Sequence, residues 1–204
     1  MTPRDGKGLN PRNSSSELRS GVPFETAPAE AVRVVRRMIA AGINTAPTSS
    51  CGRLFDAVAS LIGVRQEVNF EGQAAIELEM LADASSGCYP YAIQGEGPWQ
   101  LDFRPTIESL VGEVAAGAAR GSMAAKFHNT VAAATVAICQ RMGRESGLRR
   151  VCLSGGTFQN VRLLAATAAG LRAGGFEVFL HAQVPPNDGG LALGQAAIAA
   201  QSQW

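Results

Sequence analysis

"RRVCLSGGTFQNVRLLAATAAGLRAGGFEVFLHAQVPPNDGG", residues 149–190, decides the fold class. A short apolar run ends in Ser-Gly-Gly, and a helical stretch then closes at Gly174-Gly175. A second apolar run, Phe176 to His181, leads into Pro-Pro-Asn-Asp-Gly-Gly, and a small-residue helix follows. Strand, helix, strand, helix predicts a parallel pair joined by a right-handed crossover. Ligands of such sheets bind beyond the carboxyl ends of the strands. The Ser-Gly-Gly and Asn-Asp-Gly-Gly segments are therefore expected to line one crevice.

The rest of the chain reads as mostly helical. Helices are expected over residues 28–41, from about Ser50 with a Leu54, Val58, Leu61, Ile62 stripe, over 71–82, over 106–119 and over 122–144. Between them, residues 87–103 hold Gly, Pro and aromatics, with short β pieces at 89–93 and 99–103. Residues 1–27, rich in Gly, Ser, Asn, Pro and Arg, are expected to be a disordered or divergent leader.

Composition narrows the function classes. The 204 residues are 46% hydrophobic and 17% charged with a net charge of +1, which suits a folded core and argues against nucleic acid as partner. The arginine runs at 33–37 and 149–150 read as solvated faces. None of the four cysteines forms a C-x-x-C pair, and Cys139 and Cys152 are expected to act as small core residues. No apolar run reaches a membrane span, and a reducing cytoplasm is the expected compartment.

Candidate site residues follow from their neighbours. Gly155 and Gly156 allow close approach to the backbone and leave amides free at the start of the next helix, where anions are favoured. Asn160, about one turn into that helix, can donate to a phosphate or ribose; a plain capped turn explains the same residues. Asp188 reads as an N-cap, a duty Asn187 can share, or as one metal ligand that needs partners. His128 and His181 are the only histidines; His181 ends a strand near Asp188, and His128 is expected to be satisfied structurally. In "SSCGRLFDAVASLIGV", Gly52 and Asp56 lie off the apolar stripe, where an Asp can accept both hydroxyls of a ribose. Gln73 and Glu77 share one helix face. Each signal is weak by itself.

Their joint order is specific. "TSSCGRLFDAVASLIGV", "EGQAAIELE", "KFHNTVA", "CLSGGTFQN" and "VPPNDGGLALGQAAIA" resemble, from about Val32 to Ala200, the C-terminal end of the HypF carbamoyltransferases. The resemblance implies an α/β chain over residues 28–204 that forms the second lobe of an actin/Hsp70/sugar-kinase-like (ASKHA) domain with a helical insertion, related to the tRNA threonylcarbamoyl transferases. HypF-type proteins use carbamoyl phosphate and ATP to make carbamoyl-adenylate. They pass the carbamoyl group to the C-terminal cysteine of a HypE-type protein, on the way to the cyanide ligand of [NiFe]-hydrogenases.

By position, the resemblance assigns Asp56, Gln73 and Glu77 to the ribose, and Gly155, Gly156 and Asn160 to the phosphates, with Mg²⁺ accompanying ATP. Asp188 becomes one ligand of a His-His-Asp site for iron or zinc, whose two histidines belong to a first lobe not represented in these residues. That lobe, the zinc-finger segments, and the YrdC-like and acylphosphatase-like portions are likewise unrepresented. The expectation is a carbamoyltransferase portion, incomplete alone and working with the missing HypF portion. The alternatives are a non-catalytic remnant or interaction module, and a relative of the O-carbamoyltransferases.

Overall fold

The computed structural model describes residues 27–201. The expected leader therefore lies outside the described residues, apart from residue 27. Among the described residues, seven α-helices and four short strands follow in the order α1 Ala29–Ala41, α2 Cys51–Leu61, α3 Gln73–Leu81, β1 Ala92–Gln94, β2 Gln100–Asp102, α4 Arg104–Ala115, α5 Arg120–Ser146, β3 Arg150–Leu153, α6 Val161–Ala173, β4 Glu177–Leu180 and α7 Leu191–Gln201. The expected helices are all present. The stretch at 87–103 forms an antiparallel hairpin in which Ile93 faces Leu101.

α5 is the spine. Its 27 residues alternate small and large apolar side chains, so neighbours can approach at several points. On one side, Met123, Phe127 and Val131 meet Phe55 and Val58 of α2, Ile62 just past its end, Leu78 of α3 and Leu110 of α4 in the main core. On the other side, Val136 and Cys139 pack on a smaller cluster of Leu153, Ala168, Leu171 and Phe176. Two glycines let the backbones close up here. A Cβ at Gly170 would stand 2.8 Å from Val136 Cγ2, and one at Gly143 would stand 2.9 Å from the Phe176 ring.

β3 and β4 pair in parallel, with Val151 opposite Val178 and Leu153 opposite Leu180. This is the arrangement expected from residues 149–190. Cys152 departs from expectation: it is exposed. The cause is the period of the strand, which turns Leu153 into the cluster and leaves Arg150 and Cys152 on the open face. Cys139 is partly buried against the cluster, as expected.

The helix after β3 also starts later than expected. Gly156–Gln159 forms a 3₁₀ turn first, so α6 begins at Val161 and Asn160 becomes its N-cap. α7 has no buried residue, and Leu191 and Leu193 are exposed along it. Among the described residues, no helix is long and apolar enough to cross a membrane.

Candidate functional site

The ends of both parallel strands meet. Gly155, just past β3, donates its backbone N–H to the Pro186 carbonyl at 2.8 Å. Gly155 has φ +98° and ψ 156°, a backbone region reserved for glycine. A second link runs between side chains: His181 Nε2, just past β4, lies 2.8 Å from Ser154 Oγ. The two loops singled out from the sequence thus form one rim. Asn187 caps the short 3₁₀ turn Asp188–Gly190 by accepting from the Gly189 N–H at 3.0 Å. Asp188 is exposed on that turn.

α2 approaches the rim with its N-terminus. Ser50 caps it, accepting from the Arg53 N–H at 3.3 Å. Burial pushes the Cys51 thiol above the ordinary range, with the side chain of Thr157 in the 3₁₀ turn acting in the opposite direction. A Cβ added at Gly52 would meet only Ser50 Oγ, at 3.8 Å, and one at Gly156 only Gln159, at 3.9 Å. Neither glycine is needed for internal packing, so both leave room for a ligand. Asp56 is partly exposed one turn further on, held by Arg53 at 3.5 Å.

Asn160 sits at the base of the rim. Its Oδ1 accepts from the Leu163 N–H at 2.8 Å, and its Nδ2 lies 2.9 Å from His128 Nε2. Beside it, Glu79 accepts the Arg162 N–H at 3.0 Å. These two acceptors occupy leading amides of α6 that the sequence suggested were free for an anion. Among the described residues, the backbone N–H groups of Gly156 and Thr157, just ahead of α6, have no hydrogen-bond acceptor. The physical reason is the inserted 3₁₀ turn, which displaces the unbonded amides toward the glycines.

Gln73 and Glu77 form a second cluster on α3. Gln73 is buried; its Oε1 accepts from the Asn69 N–H at 2.8 Å, and its Nε2 donates to Glu77 at 3.0 Å. Arg65, which follows α2, clasps Glu77 through Nε at 2.8 Å and a second nitrogen at 2.5 Å. That clasp, followed by the Gln73 amide, holds the Glu77 carboxyl below its ordinary range. Sequence reasoning passed over Arg65; a lone Arg in a loop between two helices carries no periodic signal.

Among the described residues, no group of three His, Cys, Asp or Glu side chains is placed to hold an ion. Asp188 offers one carboxylate, and His181 is turned to Ser154.

With this geometry in hand, the comparisons are specific. The family model described as carbamoyltransferase, Kae1-like domain, second subdomain, of HypF matches residues 12–195. A carbamoyltransferase HypF of Rhizobium leguminosarum bv. viciae is 42% identical over 168 residues, covering 80% of this chain and 21% of the relative. The carbamoyltransferase HypF of Synechocystis is 40% identical over 151 residues, covering 72% of this chain and 19% of that protein. A crystal structure of full-length HypF in the phosphate- and nucleotide-bound form superposes with a TM-score of 0.81 at 43% identity, covering 87% of this chain and 24% of that one. The chain spans about a fifth of the length of these curated relatives.

Proposed function

The chain belongs to the HypF carbamoyltransferases as the second subdomain of their Kae1-like domain, and from that premise we propose that it forms one wall of a nucleotide site used for carbamoyl transfer. The joining of the two strand-end loops through Gly155 and Pro186 carries this reading. It puts the glycine turn, the Gly156 and Thr157 amides and the Asp188 turn on one rim beside the start of α2. A HypF of 43% identity is described as phosphate- and nucleotide-bound, which fits such a rim.

In this reading the wall is the second lobe of an ASKHA domain, with α3 and the hairpin region as a helical insertion. Asp56 takes the ribose hydroxyls, with Glu77 and Gln73 behind it. The Gly155–Thr157 turn and Asn160 face the phosphates of ATP, with Mg²⁺, or of carbamoyl-adenylate. The carbamoyl group passes to the C-terminal cysteine thiol of a HypE-type protein: the sulfur forms a bond to the carbamoyl carbon, the C–O bond to the phosphate breaks, AMP leaves, and the thiol proton goes to solvent. This is the step that leads to the cyanide ligand of [NiFe]-hydrogenases. The opposite wall, and histidine partners for Asp188 in binding iron or zinc, come from the rest of a HypF-type protein. A cytoplasmic compartment suits this chemistry.

The test is calorimetric titration of Mg·ATP into the 204-residue chain and its Asp56→Ala variant, with far-UV circular dichroism to verify folding. Losing charge-assisted hydrogen bonds of about 1.5–3 kcal/mol predicts roughly tenfold or greater weakening. Equal affinity in the two proteins refutes the ribose assignment. Absence of saturable heat from a folded chain refutes nucleotide binding by this wall alone.

A further inference from the structure

The only fully buried imidazole lies directly behind the rim. His128 is 1% exposed in the middle of α5. Its Nδ1 stands 2.7 Å from the Ala124 carbonyl, one turn earlier on the helix. A carbonyl only accepts, so Nδ1 carries the proton. In the neutral ring Nε2 is then a bare lone pair, and it faces Asn160 Nδ2 at 2.9 Å. Only the NH₂ end of the amide can donate there. The other end, Oδ1, is thereby turned to the Leu163 N–H at 2.8 Å. One carbonyl on α5 thus dictates the orientation of an amide across the helix interface.

The same ring also braces α2. Phe55 packs edge-on against His128 with centroids 5.2 Å apart, and Phe55 immediately precedes Asp56. Phe127 packs edge-on against Phe55 at 4.9 Å. His128 therefore backs both Asn160 and the turn that carries Asp56.

We propose that His128 is a positioning residue for the nucleotide wall: it fixes the Asn160 amide through the tautomer imposed by Ala124, and so presents the second Nδ2 proton of Asn160 to the ligand. The functional half of this inference rests on the nucleotide reading above; the orientational half does not. His128 touches no substrate. Its role differs from core filling, because an apolar residue of similar size would fill the space and leave the amide held by the Leu163 N–H alone. A glutamine can imitate it, with an NH₂ end for the Ala124 carbonyl and an oxygen for Asn160.

The experiment uses the full 204-residue chain, labelled with ¹⁵N, with Mg·ATP as probe. Imidazole nitrogen shifts of the wild type are expected to show the neutral Nδ1–H form of His128 near pH 7. A neutral Nε2–H form or a doubly protonated ring overturns the proposal, whether or not any variant folds. His128→Leu is expected to speed hydrogen exchange of the Leu163 amide about tenfold or more, and His128→Gln to restore most of the protection. Leu163 exchange unchanged in a folded His128→Leu protein also overturns it.

Titrations of His128→Leu, Asn160→Ala and the double variant separate the two ideas. Each single change is expected to weaken ATP binding several-fold, and the double change to weaken it no further. Loss in Asn160→Ala with full affinity in His128→Leu overturns the positioning role. Full affinity in Asn160→Ala overturns instead the phosphate reading of Asn160 and the ligand-presenting half of the proposal; the nitrogen shifts and the Leu163 exchange still decide the orientational half.

Discussion

Lowering the pH should destabilise this fold through one imidazole before the carboxylates titrate. Burial, first of all, pushes the pKa of His128 below its ordinary value; the Arg162 charge acts in the same direction, and the Ala124 carbonyl and Glu79 oppose it. The unfolded chain takes up this proton near about pH 6.5, the ordinary histidine value. The folded chain does so only at lower pH. Between those two points the unfolded state holds one more proton, so stability falls by up to about 1.4 kcal/mol per pH unit. Above the unfolded value the contribution is fully present; below the folded value no further loss occurs.

Geometry explains why the folded state resists. A proton on Nε2 would set an N–H donor against the NH₂ of Asn160, 2.9 Å away. The assay is urea unfolding at pH 8, 7, 6 and 5 at constant ionic strength, for the wild type and for His128→Gln. All other titrating groups are common to both proteins and cancel in the difference. The stability gap is expected to be flat from pH 8 to 7. Below about pH 6.5 it should move against the wild type, with a slope no steeper than the one given above. A gap that is flat down to pH 5, or that moves toward the wild type, refutes the buried neutral imidazole.

Two further outcomes test the frame around the site. Gly170→Ala puts a methyl 2.8 Å from Val136 Cγ2 and should cost about 1–3 kcal/mol of stability by overpacking, readable by the same unfolding assay. Arg65→Ala removes the clasp on Glu77, whose carboxyl it holds below the ordinary range. Its destabilisation should be present at pH 7 and fade as pH falls through the folded-state pKa of Glu77. A deficit that does not shrink as pH falls below the ordinary glutamate range would assign Arg65 a packing role instead.

The fold was legible where periodicity is long. Helices with an apolar stripe, such as α2, and the 27-residue α5 leave little choice of element. The parallel pairing followed from strand, helix, strand order at 150–180, and so did the meeting of the two loops. Cys152 was misplaced because four residues are too few to show alternation among apolar neighbours, and only Leu153 reveals which face is covered. Asn160 was placed inside the helix because the 3₁₀ turn before it has no apolar period of its own. Asparagine is among the strongest N-cap residues, and that signal could have moved the helix start to Val161. His128 was read from the sequence as structurally satisfied, which its two bonded nitrogens bear out. Its partner lies 32 positions away, beyond any local pattern.

The joint between Gly155 and Pro186 has a consequence for how such a rim can change over evolutionary time. Its acceptor is a main-chain carbonyl, which every amino acid possesses, so replacing Pro186 does not by itself delete the bond. Its donor is the opposite case. At φ +98° and ψ 156° an L-residue clashes with its own backbone, and proline there would have no N–H to give. Chirality, rather than side-chain chemistry, guards this connection. One half of the rim is free to drift in composition, while the other is confined to the single achiral residue.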